Sequence, residues 1–167
     1  MPETLTPSRL WKQMTGAQRL AAAHAFWADD EAVDDQIQAA LLIAQQKKFR
    51  PKTVIGLDLE RKSKHLTSLA SLPDSIAARV LVVYHLSDQR ILMGRFLDSL
   101  GIEHEDGVIK EDNTVPETAK LAPAAAALAR EFPADDVRLY LTTLLCQDPE
   151  TWKELAGIVE GLEAASR

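Results

Sequence analysis

The chain has 167 residues, enough for one domain to bury a core without disulfides or metal ions. Alanine and leucine supply 47 residues against 27 valines, isoleucines and threonines, which excludes a β-sandwich or barrel and favours helices. The net charge of −6 disfavours nonspecific binding to nucleic acid or anionic membrane, and apolar runs such as 80–84 and 122–129 fall short of the roughly 20 residues that span a bilayer.

Helix punctuation is legible from the N-terminus onward. Thr6-Pro7 reads as an N-cap with proline at the first helical position, opening a short helix with Leu10, Trp11 and Met14 inward. Thr15-Gly16-Ala17-Gln18 matches a capping box, and the helix behind it carries Leu20, Ala23 and Trp27 on one face with Phe26 at the border. The acids at 29–35 open a long helix with Ile37, Ala40, Leu41 and Ala44 expected in the core. It ends in Lys47, Lys48 and Arg50 before Pro51, and both charge sets suit the helix dipole. A further helix is predicted from Pro51 to about Lys62, with Val54, Ile55 and Leu59 inward.

Ser71-Leu72-Pro73-Asp74 starts a helix whose run 76–86 has only Arg79 and His85 as polar members. A helix so apolar all round belongs at the centre of a domain. Arg79 there needs a carboxylate, with Asp74 and Asp88 as candidates. Ser87 is expected to cap the next helix, which shows the stripe Leu92, Met93, Phe96, Leu97 and Leu100. Gly101-Ile102 closes it in the manner of a Schellman motif. Residues 101–118 form the longest loop. An alanine-rich helix is predicted from Pro123 to Glu131, ended by Phe132-Pro133. Asp135 or Asp136 opens the next, with Val137, Tyr140, Leu141, Leu144 and Leu145 on one face. Asp148-Pro149-Glu150 caps the last, which presents Trp152, Leu155, Ala156, Val159 and Leu162.

The predicted fold is therefore all-α: one compact domain over 1–167, of eight or nine helices, stacked as helical hairpins around the apolar helix 76–86. In it the acidic loop 101–118 joins an N-terminal portion (1–100) to a C-terminal one (119–167). The competing reading pairs 53–59 with 79–85 as strands, and Asp106-Gly107 offers a tight hairpin turn.

Nucleotide-binding glycine loops, the nucleophile-elbow motif, His-Glu-x-x-His and Glu-x-x-His are all missing from the sequence. The single Cys146 rules out an internal disulfide and a multi-cysteine zinc site. With no apolar leader evident at the N-terminus, a cytoplasmic location is expected. No cofactor or metal is called for, and a buried, inert Cys146 is expected.

Three constellations remain. Asp29, Asp30, Glu31, Asp34 and Asp35 offer carboxylates one turn apart, able to hold Mg²⁺ on a phosphorylated small molecule if a second acidic element faced them; otherwise they favour a helix N-terminus. Segment 47–65 carries Lys47, Lys48, Arg50, Lys52, Arg61, Lys62 and Lys64 against Asp58 and Glu60. These bases suit phosphate or RNA, although in a continuous helix the two sets stand roughly 15–18 Å apart at 1.5 Å per residue. The loop around His104, Glu105 and Asp106 fails the calcium-loop pattern when aligned on Gly107, and is the third candidate. No convergent catalytic set emerges. The expected function is a non-catalytic helical module that binds another protein or itself, with Trp11, Phe26 and Trp27 as potential anchors.

Overall fold

A computed structural model describes residues 4–111 and 114–165, with side-chain burial through residue 162. Asn113, the last position of the calcium-loop alignment, lies outside the described residues. The fold is helical apart from one small hairpin. Its elements are α1 (Pro7–Gln13), α2 (Gly16–Ala28), α3 (Val33–Lys47), α4 (Pro51–Ile55), α5 (Leu59–Thr67), α6 (Asp74–Asp88) and α7 (Arg90–Leu100). These are followed by β1 (His104–Glu105), β2 (Val108–Ile109), α8 (Thr118–Glu131), α9 (Ala134–Gln147) and α10 (Leu155–Ala165). Segments 53–59 and 79–85 are helical or turn, so no strand pair joins them. No described helix is long and apolar enough to cross a membrane.

The backbone divides into two compact units, one of residues Thr6–Asp88 and the other of residues 4–5 with 89–165. The loop expected as a joint, 101–118, lies inside the second unit.

In the first unit, the side chain of Thr6 accepts from the Arg9 amide and Pro7 occupies the first helical turn. Thr15 and Gln18 form a reciprocal capping box, with 3.0 Å from the Gln18 amide to Thr15 Oγ1 and 2.9 Å from the Thr15 amide to Gln18 Oε1. Each satisfies helix-end amides that would otherwise lack partners. Helix α2 packs on α5 and α6, and α6 also meets α1 and α3. The core between them holds Trp11, Phe26, Ile43, Val54, Leu66, Leu69, Leu72 and Val80. Trp11 and Phe26 are fully enclosed and Trp27 nearly so, with the Lys62 ammonium 5.2 Å from the Trp27 ring centroid. These aromatics are core residues rather than free anchors.

Three local expectations are corrected here. Pro51 does not open one helix to Lys62. Gly56 ends α4, and Asp58 caps α5 by accepting from the Arg61 amide at 2.8 Å, so the described residues form ten helices where about eight or nine were expected. Helix α6 runs through Ser87 to Asp88, and Gln89 precedes α7 with no side-chain cap. Arg79 pairs with neither Asp74 nor Asp88. Its Nε donates to Asp35 on α3 at 3.0 Å, while Asp74 accepts from the Ser8 amide.

In the second unit α7 packs on α8 and on the hairpin, and α8, α9 and α10 meet one another. Phe96 sits at its centre, with ring centroids 5.7 Å from Tyr140 and 6.3 Å from Trp152. The α7 stripe is buried as its spacing predicts, and Gly101 adopts φ 69°. There the Ile102 amide reaches back to Leu97 and the Gly101 amide to Asp98, the two bonds of a Schellman end.

Helix α8 begins at Thr118, five residues before Pro123. Proline lacks an amide and crowds the preceding turn, which made it read as a start. Pro123 itself is exposed. Pro133, rather than Asp135 or Asp136, occupies the cap position of α9. Asp148 accepts from the Thr151 hydroxyl (2.6 Å) and amide (3.2 Å), bonds that hold its carboxyl below the ordinary range. They shape a turn through which the chain reaches α10 only at Leu155, and Ala156 is exposed.

Candidate functional site

Helix α3 carries two apolar rows. Ala39, Ala40, Ile43 and Ala44 form one row and are buried against α4, α5 and α6. Val33, Ile37 and Leu41 form the other, spaced by four residues so that they line one strip of the helix surface. They are 50%, 43% and 44% exposed. The expectation that Ile37 and Leu41 enter the core is therefore overturned. The buried row of α3 is made of three alanines and Ile43. The longer aliphatic side chains are left on the flank.

Ile55 and Leu59, also expected inward, are exposed as well, and so is Phe49. Six of the nine exposed large apolar side chains among the described residues thus lie between Val33 and Leu59. They occupy α3 and the two elements packed on it, α4 and α5, together with the turn between α3 and α4. Exposed apolar side chains are ordinary when scattered, but a concentration on neighbouring elements marks a contact surface. The sequence held a signal for this: small residues on one row of α3 and large aliphatics on the next.

The charged clusters sit at the two ends of this strip. Asp29, Asp30 and Glu31 lie in the tight turn before α3, and Asp34 and Asp35 in its first turn. Asp29 accepts from the Glu31 amide, and its carbonyl takes a 2.8 Å bond from Gln36, which also reaches the Phe26 carbonyl. Asp35 is committed to Arg79. Asp30, Glu31 and Asp34 are exposed, with no carboxylate ion pair among the described residues. No group of three or more His, Cys, Asp or Glu side chains is placed to hold a metal ion among the described residues.

At the other end Lys48 takes a left-handed conformation (φ 59°), and the Phe49 amide closes the helix on the Ala44 carbonyl at 2.9 Å. Lys47, Lys48, Arg50 and Lys52 are exposed, again with no ion pair among the described residues. The remaining bases of the segment are engaged locally. Arg61 stands 3.6 Å from Asp58, Lys64 stands 3.1 Å from Glu60, and Lys62 lies over Trp27. The break at Gly56 also removes the continuous rod on which a spacing between the two sets was reckoned. The seven bases therefore form an unpaired group of four and a group of three, of which Arg61 and Lys64 are paired with carboxylates and Lys62 packs on Trp27. Phe49 meets His65 edge-on at 5.5 Å.

The third candidate, His104, Glu105 and Asp106, lies in the second unit. Asp106 (φ 50°) and Gly107 (φ 91°) are the two turn residues between β1 and β2, and both have the positive φ that a type I′ hairpin demands. The Gly107 amide donates to His104 Nδ1 at 3.0 Å, so the proton sits on Nε2, which donates to Asp98 Oδ1 at 2.7 Å. Both ring nitrogens are thus occupied, and neither is open to a substrate proton or a metal. Gly94 lets α7 approach the imidazole face, since a Cβ there would stand 3.2 Å from His104 Cε1. Arg90 donates to the Asp106 carbonyl at 3.2 Å. Shallow depressions of about 570 and 310 Å³ flank it, one lined by Glu105, Val108 and Lys110, the other by Arg95, Asp98 and His104. Arg95 is paired with Glu131 at 3.2 Å. His104 serves as a clasp that fastens the hairpin to α7.

Cys146 is half-buried rather than fully enclosed, and its thiol points at the Leu5 carbonyl 3.8 Å away. Compared with protein-family models, with curated proteins and with solved structures, the chain has no match in any of the three.

Proposed function

We propose that the protein is a non-catalytic helical module of the cytoplasm that binds another protein or a second copy of itself through the exposed face of α3. One observation carries this reading: Val33, Ile37 and Leu41 form an apolar strip left at the surface, while the alanine row of the same helix makes the internal contacts. Burying large aliphatic side chains contributes roughly 25 cal/mol per Å² of apolar area, so a strip of this kind favours association once polar groups at its rim are matched. The occupancy of both His104 ring nitrogens supports a structural role for the loop around His104, Glu105 and Asp106. The lone thiol suits a reducing compartment.

A photo-crosslinking amino acid placed at Ile37, in cells that produce the protein, tests this. Discrete protein adducts are expected from position 37 and not from Gln13 of α1, which is also exposed. Absence of any adduct above the Gln13 control would overturn the reading.

A further inference from the structure

We infer that the occupant of the α3 face is a second copy of this chain, docked antiparallel across a two-fold axis that passes between Ile37 and Leu41. This rests on the α3 face being the docking surface, and it adds the identity and orientation of the partner. The argument is the arrangement of charge around the strip. One end carries Asp30, Glu31 and Asp34, the other Lys47, Lys48, Arg50 and Lys52, and neither set forms an ion pair among the described residues. A foreign partner would have to carry the reverse pattern, whereas the face already carries its own reverse pattern when turned end for end.

A two-fold axis at the middle of the strip brings Ile37 of one copy opposite Leu41 of the other, twice. The same operation sets Asp30 over the region of the other copy's Lys48, with Glu31 toward the same basic end. It places Val33 beside Gln45, an uncharged exposed residue that meets an aliphatic one without burying a charge. The antiparallel orientation also opposes the two helix dipoles. A parallel arrangement would bring acids onto acids and bases onto bases, which costs affinity. The strip is narrow beside the roughly 800 Å² per partner that stable complexes bury, so the pair is a reversible, concentration-dependent dimer rather than an obligate one.

Sedimentation velocity on the intact chain over about 5–500 µM tests this without any variant, because an association aided by these charges weakens as salt rises. The expected result is a monomer–dimer equilibrium that shifts toward monomer at high salt. Leu41→Asp, at an exposed position where the helical circular dichroism is expected to be kept, should weaken it by at least about tenfold. Asp30→Lys with Glu31→Lys should weaken it, as should Lys47→Glu with Lys48→Glu, and all four changes together should restore it. A chain that stays monomeric at every concentration would overturn the inference. So would a dimer indifferent to Leu41→Asp, or a fourfold variant no tighter than either double one. A monomeric chain that still crosslinks from position 37 to a different protein would defeat the inference and leave the docking surface standing. A monomeric chain with no adduct would end both.

Discussion

Gly107 and Gly101 separate two demands that a backbone can place on a residue. Both have positive φ, at 91° and 69°. Nothing lies within 4 Å of a Cβ built on Gly101, whereas one on Gly107 would stand 2.7 Å from the Met93 Cβ and 3.2 Å from the Arg90 carbonyl. Gly101→Ala should therefore cost only the left-handed penalty, about 1 kcal/mol, and Gly107→Ala about 2–3 kcal/mol because Met93 and α7 must also move. Urea unfolding of the two variants checks the difference, and equal losses would show that the hairpin does not press on α7. The Asp-Gly pair and Gly101 were legible in the sequence as turn chemistry. Met93 as the obstacle was not, because it lies in a different element.

Tyr140 gives the residue scale its pH dependence. Burial pushes its hydroxyl above the ordinary range, while in the unfolded chain it ionises near pH 10. A folded pKa above the unfolded one means that the native state holds its proton more tightly. That stability is fully present below about pH 10 and is lost as pH rises above it, at up to about 1.4 kcal/mol per pH unit. Tyr140→Phe should flatten the alkaline limb of a plot of unfolding free energy against pH. An unchanged slope would place the alkaline sensitivity elsewhere.

At the scale of elements, α3 shows how a helix can be read correctly in extent and wrongly in orientation. The acids at its start, the bases at its end and Pro51 beyond it mark its limits. The inward face was assigned to Ile37, Ala40, Leu41 and Ala44; the two alanines lie there with Ala39 and Ile43, while Ile37 and Leu41 do not. Hydropathy ranks isoleucine and leucine above alanine, while close helix packing prefers the smaller group wherever backbones approach. Ile43→Ala should therefore cost about 2–5 kcal/mol, and Ile37→Asp should stay within about 0.5 kcal/mol of the natural chain. Thermal or denaturant unfolding of the two variants checks this; a large loss for Ile37→Asp would mean that the strip is internal. The division of 51–62 into α4 and α5 follows from Gly56 and the Asp58 cap, both visible in the sequence. The start of α8 ahead of Pro123 is harder to see, since proline's local cost is offset by packing of Leu121, Ala124, Ala125 and Leu128.

The whole molecule is built as two compact units, each with its own aromatic and aliphatic centre: Trp11 and Phe26 in one, Phe96, Tyr140 and Trp152 in the other. The chain cut to residues 6–88 keeps α1 to α6 and their shared core, so it should retain a helical circular dichroism spectrum and unfold cooperatively. A broad, non-cooperative melt would show that this unit depends on the rest of the chain. The Val33–Ile37–Leu41 strip belongs to this same unit, so the cut chain carries the docking face intact.

The amino-acid sequence by itself determined that the chain is helical, where most helices begin and end, and that Asp106-Gly107 turns tightly. Capping bonds, proline, glycine and the three-to-four-residue spacing act within a few positions of the chain. Only the tertiary structure decided which apolar row of α3 faces inward, that Arg79 finds Asp35, and that His104 closes on Asp98 and Gly107. Those outcomes depend on how closely helices approach one another and on which surfaces run out of partners, and no local pattern encodes either.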